Sequence, residues 1–480
     1  MRKSSDESKG KSVLLLFPPF REYNHGKWKS TESPSPPLGL MYLATPLIQA
    51  GYNVNFIDLA VEELEEEQYF DILGRSDFIL ITCFTRALVN VKKVINDIKN
   101  INKNAYIITG GPYCTETENH IEGSDMTVFG EADLVIAKIL DLISSKKSLD
   151  GIPGLSYKKN GQLVRNPGTL LVEDLDLILP PSLDLAKNKN YGYLYGMKII
   201  KGVIPISTSR GCPFDCSFCT YRRTKYRTRS VDKVIREIKM RVEKGSKYLA
   251  FYDDNFLLNK HRAMDLMDKI IENKIKLNII VSGRADSADY DLYKKLREAG
   301  VFLIIYGIES ANQDVLDFFN KKTTVEKTKE AIIIANKVGI ITLGNLIIGA
   351  PMEEERHFEV NKKFFKEVPM DFLSMHILKY IYGSHIWNDA HQKGLIKKDE
   401  IAVEANEKLS NFSTGELTKV QKELIKSFYN SPKRIVRLIY KSLKIFGIGI
   451  IYMFFKMYFS KAIYRTSDKF HRAVIKDTRP

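Results

Sequence analysis

Hydrophobic and polar positions in the first third of the chain alternate between short apolar runs and helical periods. Ser12–Phe17 is a continuous apolar run, and four later runs of the same kind predict further strands. Strands that are buried on both faces and separated by helices predict a parallel, doubly wound sheet. The predicted strands are 12–17, 52–57, 78–82, 106–109 and 126–129, and the predicted helices are 40–50, 89–99 and 132–143.

The same alternation resumes at residue 201, after a stretch rich in Pro, Gly and Asn that contains two short strand patterns, 155–158 and 162–165. Six strand and helix units in succession predict a parallel β/α barrel, complete or partial. The active site of such a barrel lies at the carboxyl ends of its strands. The six predicted strands are 204–207, 248–252, 278–282, 302–306, 342–348 and 372–377.

The 480 residues are too many for one ordinary domain. We predict an α/β chain with a Rossmann-like, doubly wound domain at 12–145 and a connector at 146–200. A partial parallel β/α barrel at 201–400 and a helical, basic extension at 401–480 complete the prediction. Residues 1–11 are polar and lack the apolar segment of a secretory signal, so we predict a flexible tail there.

The net charge of +15 favours a negatively charged partner, such as nucleic acid or anionic lipid. Much of the excess lies in 431–480, where 12 lysines and arginines face two aspartates. The segment 445–455 within this region is apolar but shorter than the ~20 residues that span a bilayer. A helix in a membrane interface and a helix that covers the barrel or an oligomer interface therefore both remain open.

Three of the five cysteines lie within eight residues: Cys212, Cys216 and Cys219. This distribution argues against a disulfide scaffold and fits a reducing, cytoplasmic compartment, where clustered thiols bind metal. Iron–sulfur clusters usually take four cysteines, so three would leave one iron free for an outside ligand. Zinc is the alternative, although a structural zinc site would need a fourth ligand. Cys83 and Cys114 are predicted to be ordinary residues at strand ends.

The CxxxCxxC spacing, with an aromatic residue before the last cysteine, resembles the signature of the radical S-adenosylmethionine superfamily. The resemblance covers residues 201 to 380 and implies a 4Fe–4S cluster that reductively cleaves S-adenosylmethionine. The resulting 5′-deoxyadenosyl radical abstracts hydrogen from an unactivated carbon. The resemblance also implies contacts with S-adenosylmethionine at Phe218, Tyr252, Asp253, Asp254, Arg284, Gly307, Glu309, Ser310 and Gly349.

Residues 12–145 resemble the cobalamin-binding domain that precedes the barrel in one large class of this superfamily. The matching glycines lie in turns between strands and helices, where glycine is also common for purely structural reasons. The DxHxxG motif, which supplies an axial histidine in many cobalamin proteins, does not follow the first strand, and members of this class often lack it. The resemblance implies cobalamin contacts at Gly39, Leu40, Thr85, Gly110, Gly111, Pro112, Gly130 and Glu131.

The resemblance implies cobalamin-dependent methylation of an unactivated carbon, with one S-adenosylmethionine as methyl donor and a second as radical source. Oxidative cyclisation or ring rearrangement of a tetrapyrrole or lipid-like substrate is the alternative within the class. A non-catalytic, zinc-holding binding module is the alternative outside it.

The expected partners are a small-molecule substrate, hydrophobic if the chain meets a membrane, and flavodoxin or ferredoxin as electron donor. Peripheral contact with the inner face of the membrane through 431–480 is expected, and nucleic acid is not. The basic residues that could steer an acidic electron donor follow the cysteines closely: Arg222, Arg223, Lys225, Arg227 and Arg229.

Overall fold

The computed structural model describes residues 10–19, 35–62, 64–187, 189, 191, 193–194, 197–198, 203–221 and 223–446. The described residues up to 198 belong to one compact unit and those from 203 belong to a second. Residues 1–9 of the predicted tail at 1–11, Arg222 and residues 447–480 lie outside the described residues, so most of the apolar segment 445–455 does too.

The first unit is built on a seven-stranded sheet in the order β2-β1-β3-β4-β5-β6-β7. Its first five strands are parallel, as predicted, and their buried faces are rich in Val, Leu and Ile. The strands are β1 (Ser12–Phe17), β2 (Asn53–Asp58), β3 (Phe78–Thr82), β4 (Tyr106–Gly110), β5 (Met126–Val128), β6 (Leu155–Lys159) and β7 (Gln162–Arg165). The helices are α1 (Leu38–Gln49), α2 (Glu66–Gly74), α3 (Leu88–Ile101), α4 (Pro112–Thr117) and α5 (Ile136–Ser144).

The hairpin of β6 and β7 extends this sheet beyond the predicted domain end at residue 145. β6 pairs antiparallel with β5, and Leu155 and Tyr157 join the same hydrophobic core as β1. Leu170 forms a bridge with Gly130. Much of the predicted connector is therefore part of the first unit. A short hairpin of β8 (Tyr193–Leu194) and β9 (Met197–Lys198) follows.

The second unit contains six parallel strands in sequence order, β10-β13-β14-β15-β16-β17, an open sheet of the predicted barrel type. Two strands run further than predicted, to Arg284 and Glu309, and so carry site residues at their ends. The strands are β10 (Val203–Ile206), β11 (Ser209–Arg210), β12 (Arg227–Thr228), β13 (Tyr248–Phe251), β14 (Asn278–Arg284), β15 (Val301–Glu309), β16 (Ile341–Ile348), β17 (Phe372–Ile377), β18 (Lys379–Ile381) and β19 (Ala402–Glu404).

Helices follow the strands of this sheet. Each of these helices has one apolar face, which is buried against the sheet. The helices are α6 (Val231–Glu243), α7 (Lys260–Glu272), α8 (Tyr290–Glu298), α9 (Gln313–Phe318), α10 (Val325–Lys337), α11 (Glu355–Glu367), α12 (His385–Gln392), α13 (Thr414–Tyr429) and α14 (Pro432–Phe446). Among the described helices, none is both long and apolar enough to cross a membrane.

The described part of the predicted C-terminal extension packs on the second unit. Leu417, Leu424 and Phe428 of α13 belong to the same core as the strands. In α14, the buried Arg434 donates to the carbonyl oxygens of Met370, Phe365 and Phe428. Two further bases of this helix, Arg437 and Lys441, form ion pairs with the buried Asp371. These three cations serve the fold, so less of the basic charge of 431–446 is available to a partner than the sequence suggested.

Candidate active site

The three clustered cysteines lie on the loop between β11 and β12, directly after the first strand of the six-stranded sheet. Ser209 and Arg210 of β11 pair antiparallel with Thr228 and Arg227 of β12, and this pairing closes the loop at its base. Gly211 has φ of +91°, and an added Cβ would lie 2.1 Å from the carbonyl oxygen of Lys225, so only glycine fits there. The Cys212 amide donates to Thr224 Oγ1 at 2.8 Å.

Segments from distant parts of the second unit hold this loop. The buried Ser217 donates through its amide and its hydroxyl to the carbonyl oxygens of Phe319 and Phe318, each at 2.9 Å. Its own carbonyl accepts from the Ile386 amide at 3.1 Å. Phe218 makes an edge contact with the Phe319 ring, with centroids 5.2 Å apart. Phe218 therefore has a packing role in the last turn of the loop, and its contact with S-adenosylmethionine stays a prediction.

The cysteine loop has the donor chemistry that an iron–sulfur cluster requires. All three thiols are free and partly buried, and burial raises the pKa of each, that of Cys219 to about 11. The charges of Arg284 and Lys321 act in the opposite direction on Cys212 and Cys216. Thiolate ligands therefore have nearby cations to offset their charge. Across the parts of the chain that the structure describes, no three His, Cys, Asp or Glu side chains converge to hold a single metal ion.

Arg284 ends β14 and lies against the cysteine loop. Its guanidinium carbon stands 3.8 Å from the centroid of the Phe214 ring, and Nη1 lies 3.8 Å from Cys216 Sγ. Nε and Nη2 bind the Asp286 carboxylate, the closest contact being 2.7 Å, and Nη2 also donates to the carbonyl oxygen of Lys321. Each nitrogen of this buried guanidinium has a protein partner, and the contact of Arg284 with S-adenosylmethionine stays a prediction.

Glu309 and Lys321 form a buried ion pair at the end of β15. Glu309 Oε1 lies 2.6 Å from Lys321 Nζ, and the two side chains are 9% and 7% exposed. Glu309 has φ of +64°, a conformation that costs energy for a residue other than glycine and concentrates at functional sites. An added Cβ on Gly307 would meet both charged groups, so the role of Gly307 is to leave room for the pair. The sequence prediction missed Lys321, because no motif marks it after α9.

The two aspartates after β13 have different roles. Both carboxylate oxygens of Asp253 are occupied: they accept from Thr208 N at 2.6 Å, from Thr208 Oγ1 at 2.5 Å and from Ser209 N at 3.0 Å. Burial raises the pKa of Asp253, and these bonds oppose the rise. Asp253 therefore holds the segment between β10 and β11 at the end of β13, and its contact with S-adenosylmethionine stays a prediction. Asp254 is exposed and accepts from Gly211 N at 2.9 Å, and Tyr252 is also exposed.

Gly349 lies in a tight turn after β16 that Glu353 organises. One oxygen of the fully buried Glu353 carboxylate accepts from the amides of Gly349 and Ala350, at 2.5 Å and 2.9 Å. Burial raises the pKa of Glu353 to about 7. Gly349 has φ of +99°, and an added Cβ would lie 2.9 Å from Ala405. At the neighbouring strand end, the buried Ser310 hydroxyl accepts from the Asn312 amide.

Several predicted cobalamin residues have structural roles within the first unit. An added Cβ on Gly111 would lie 2.7 Å from Thr82 Oγ1, and one on Gly130 would lie 2.1 Å from the carbonyl oxygen of Leu170. Glu131 accepts from the amide of Val172 at 2.9 Å. The Leu40 side chain is buried in the core. Glu131 and the Leu40 side chain therefore have roles in the fold, and their contacts with cobalamin stay predictions.

Other predicted cobalamin residues lie at the carboxyl edge of the sheet and are exposed or partly exposed. Gly39 is exposed in the first turn of α1, and an added Cβ there would meet nothing within 4 Å. Pro37, the N-cap of this helix, makes no side-chain cap hydrogen bond, and the amide end of a helix suits a polar or anionic ligand. Gly110 and Pro112 are partly exposed where β4 leads into α4, and Thr85 begins the turn after β3. This edge fits a large ligand with amide or phosphate groups.

Comparisons with known proteins match a family to each of the two units. The radical SAM superfamily matches residues 206–365, and the B12 binding domain family matches residues 29–140. An uncharacterized methyltransferase of Pyrococcus horikoshii is 31% identical over 446 residues, which cover 89% of this chain and 95% of that protein.

Two further proteins show how widely the similarity extends. The anaerobic magnesium-protoporphyrin IX monomethyl ester cyclase of Cereibacter sphaeroides is 27% identical over 68% of this chain, and the match spans 55% of that longer protein. The structure of the radical S-adenosylmethionine methyltransferase TsrM from Kitasatospora setae, with cobalamin and a [4Fe-4S] cluster bound, superposes with a TM-score of 0.65. It is 18% identical and covers 80% of this chain and 75% of that chain, which shows the fold.

These similarities leave the zinc-holding module without support. The Pyrococcus relative is similar across nearly the whole of both chains, and both family matches fall on the units that the structure separates. The protein therefore belongs to the radical SAM superfamily, in the class with a B12-binding domain, and is a radical S-adenosylmethionine enzyme that uses a 4Fe–4S cluster, S-adenosylmethionine and cobalamin.

Proposed function

We propose that this enzyme methylates an unactivated carbon atom of a small molecule. The observation that carries the proposal is the presence, in one chain, of a cysteine loop at the carboxyl edge of six parallel strands and a B12-binding domain. When bound, the cluster and S-adenosylmethionine supply a radical and cobalamin carries the methyl group. The Pyrococcus relative named a methyltransferase aligns over more of the chain than the cyclase does, so cyclisation is the second candidate.

In this proposal Cys212, Cys216 and Cys219 ligate three irons of the cluster and leave the fourth iron for S-adenosylmethionine. The network around Ser217 supports this role, because it fixes the loop before any ligand binds. A preorganised loop reduces the ordering cost that cluster binding would otherwise carry.

The ion pair of Glu309 and Lys321 suits the methionine part of S-adenosylmethionine, which carries an ammonium and a carboxylate. The Lys321 ammonium attracts the carboxylate, and the Glu309 carboxylate attracts the ammonium. Each protein group gives up one partner and gains another of the same charge, so the exchange leaves no buried charge unpaired. Tyr252 and Asp254 are exposed after β13, two strands from β15, and the turn at Gly349 brings backbone to the same edge of the sheet.

Cobalamin in this proposal lies at the carboxyl edge of the first unit, next to Gly39, Thr85, Gly110 and Pro112. In open parallel sheets ligands bind outside the carboxyl ends of the strands, where the order of strands reverses. The order β2-β1-β3 places that point between β1 and β3. The turn at Thr85 directly follows β3, which supports its place in this set.

The electron donor is flavodoxin or ferredoxin in this proposal, although the basic surface is smaller than the sequence suggested. Arg229 is buried and pairs with Glu237 at 2.7 Å, and Arg227 is buried as well. Arg223 and Lys225 remain exposed beside the cysteine loop. Exposed charge of this sign raises the association rate of an acidic protein more than its affinity.

The membrane hypothesis is supported in the described residues by one exposed strip of α14. Val436 and Tyr440 are 67% and 57% exposed, one helical turn apart, and Lys433 is exposed next to them. A helix that combines apolar and basic exposed residues suits a membrane interface, and a hydrophobic substrate would follow from it. The arrangement supports peripheral contact at the inner face of a cytoplasmic membrane.

Methyl transfer can be tested without knowledge of the substrate. Anaerobically purified enzyme, reconstituted with iron, sulfide and cobalamin, is incubated with a reductant and with S-adenosylmethionine labelled in its methyl group. A methyltransferase is expected to form about one S-adenosylhomocysteine per bound cobalamin, with the label on the cobalamin. A cyclase is expected to form 5′-deoxyadenosine alone.

The control for this experiment is the same protein reconstituted without cobalamin. That sample keeps the cluster and should form no S-adenosylhomocysteine. If the complete enzyme makes 5′-deoxyadenosine while its cobalamin stays unlabelled, methyl transfer is wrong and cyclisation becomes the leading candidate. Absence of both products from a sample with full iron and cobalt content would reject both candidates.

A further inference from the structure

The guanidinium of Arg284 contacts two residues of the cysteine loop, Cys216 and Phe214, and two residues outside it, Asp286 and Lys321. Its Nη1 faces Cys216 Sγ at 3.8 Å, and its plane lies over the Phe214 ring at 3.8 Å. The other two nitrogens are held by the Asp286 carboxylate and by the carbonyl oxygen of Lys321. The side chain is 7% exposed, so this arrangement excludes most solvent.

The partners of Arg284 fix one particular direction of its guanidinium. The carboxylate of Asp286 takes two nitrogens in a forked geometry, which arginine forms and lysine cannot. The Phe214 ring fixes the plane of the group. Only the Nη1 side then points at the sulfur of Cys216.

We propose that Arg284 is a positioning residue that sets the reduction potential of the iron–sulfur cluster through an N–H donor on Cys216. The proposal rests on the proposed ligation of the cluster by Cys216. Hydrogen bonds to cluster sulfurs are one of the terms that set the potentials of such clusters. A donor and a positive charge stabilise the reduced cluster, which carries one more negative charge, over the oxidised cluster.

The reduction itself is a one-electron step. The electron comes from a low-potential reductant, flavodoxin or ferredoxin in the cell and dithionite in the experiment. It enters the cluster without making or breaking a bond to Arg284, and no proton moves. Asp286 opposes the effect in part, because its negative charge lies on the side of the guanidinium away from Cys216.

The test is a mediated dithionite titration of the reconstituted enzyme without S-adenosylmethionine, followed by the electron paramagnetic resonance signal of the reduced cluster. Arg284→Met removes the donor and the charge, so the potential should fall. A fall equal to a tenfold lower equilibrium constant for reduction is about 59 mV for one electron. Asp286→Asn removes the opposing charge, so the potential should rise.

Opposite shifts of these two variants would be expected only of an electrostatic role, since damage to the fold would move both in one direction. Arg284→Lys keeps the positive charge, so its reduction potential should lie between those of Arg284→Met and the parent. Arg262→Met is the matched control, because Arg262 holds Thr208 and the carbonyl of Arg229 near the loop but contacts none of the cysteines. Its potential should stay that of the parent.

Two outcomes would overturn the proposal. Arg284→Met with full iron content and an unchanged potential would show that the donor has no effect on the cluster. A shift of the same size and sign in Arg284→Met and Arg262→Met would show only a structural effect. If Cys216→Ala keeps its full iron content, the failure lies in the proposed ligation itself, which separates the two questions.

Discussion

Glu309 Oε1 lies 2.6 Å from Lys321 Nζ, and Gly307 leaves the space that this buried pair occupies. A Cβ on Gly307 would stand 2.5 Å from Glu309 Oε1 and 2.9 Å from Lys321 Nζ. Because real side chains do not approach so closely, any other residue at this position must displace one of the two charged groups. Gly307 therefore sets the position of Glu309 and Lys321, the residue pair that we assign to the methionine part of S-adenosylmethionine.

Gly307→Ala should weaken binding of S-adenosylmethionine by about tenfold, which corresponds to about 1.4 kcal/mol of binding free energy. The measurement is equilibrium dialysis of labelled S-adenosylmethionine with the reconstituted enzyme. Gly415→Ala is the matched control, because an added Cβ there lies 3.9 Å from its nearest neighbour, Ser413 Oγ. Unchanged affinity in Gly307→Ala would remove Glu309 and Lys321 from the binding site.

Iron content separates the two groups of cysteines. Alanine at Cys212, Cys216 or Cys219 should lower the iron and sulfide bound after anaerobic reconstitution. Each substitution removes one of the three protein ligands that we assign to the cluster. Cys83→Ala and Cys114→Ala are the controls, since both thiols are buried in the first unit. These two variants should keep the iron content of the parent. Full iron content in all three loop variants would contradict the proposed ligands.

The two aspartates after β13 should differ in what they affect. Asp253→Asn places an amide where both oxygens accept hydrogen bonds, so it should lower the free energy of unfolding by about 2 kcal/mol. Asp254 is exposed, and Asp254→Asn should change that free energy by less than about 0.5 kcal/mol. Urea unfolding of the two variants measures the difference. Equal stabilities would show that the bonds from Thr208 and Ser209 contribute little.

The sequence predicted the strands of both sheets well, because buried strands are continuous apolar runs whatever their neighbours are. Val203–Ile206 and Phe372–Ile377 lie within a residue of their predictions. The prediction missed α2, of which only Tyr69 and Leu73 are buried, so its apolar period is weak. It also placed β6 in a connector, since pairing with β5 is a long-range contact that no local pattern reveals.

The features of the candidate site that the sequence could not reveal have one physical cause. Motifs place a residue at a strand end but do not show what its polar atoms bind. Arg284 and Asp253 were expected to face a ligand, and the structure gives their polar atoms protein partners. Lys321 has no motif, because its position depends on how α9 returns to the end of β15. The same limit applies to Arg434, which looked like surface charge and is buried.

Asp371 should be a strong determinant of the stability of the second unit. It accepts from Lys441 Nζ at 2.7 Å and from Arg437 Nε at 3.1 Å, and it is fully buried. Asp371→Ala should cost about 3–5 kcal/mol, because it leaves Lys441 buried without its counter-charge. Asp371→Ala with Lys441→Met should recover part of that loss, and Lys433→Met, at an exposed position, is the control. Additive effects of the two substitutions would contradict the coupling.

A test of the membrane hypothesis must leave intact the buried contacts that hold α14 on the second unit. Deletion of 431–480 would remove Arg434 and Lys441, so a loss of liposome binding could reflect damage to the second unit. Val436→Asp with Tyr440→Asp changes exposed side chains alone and should reduce co-sedimentation with anionic vesicles several-fold. Substitution of the exposed Leu395 by Asp, on the same unit, is the control. Unchanged binding by the double variant would show that this strip does not contact lipid.

Stability of the second unit should fall as the pH rises, through Glu353. Burial raises the pKa of this carboxyl from an ordinary value of 4.5 to about 7. The folded protein therefore binds more protons than the unfolded protein between these values. The contribution to the free energy of unfolding is fully present below pH 4.5 and is lost as the pH rises towards 7. The loss is about 3 kcal/mol for a shift of this size.

Glu353→Gln removes this titration and keeps an oxygen for the amides of Gly349 and Ala350. Its free energy of unfolding should be close to that of the parent at pH 5 and should exceed it at pH 8, where the parent carries a buried carboxylate. Fluorescence of Trp387 reports on the second unit, and a Trp28→Phe background makes it the sole tryptophan of the chain. Parallel pH profiles for parent and variant would show that Glu353 is already ionised at pH 5, because only a carboxyl that binds its proton in the folded state can produce the difference.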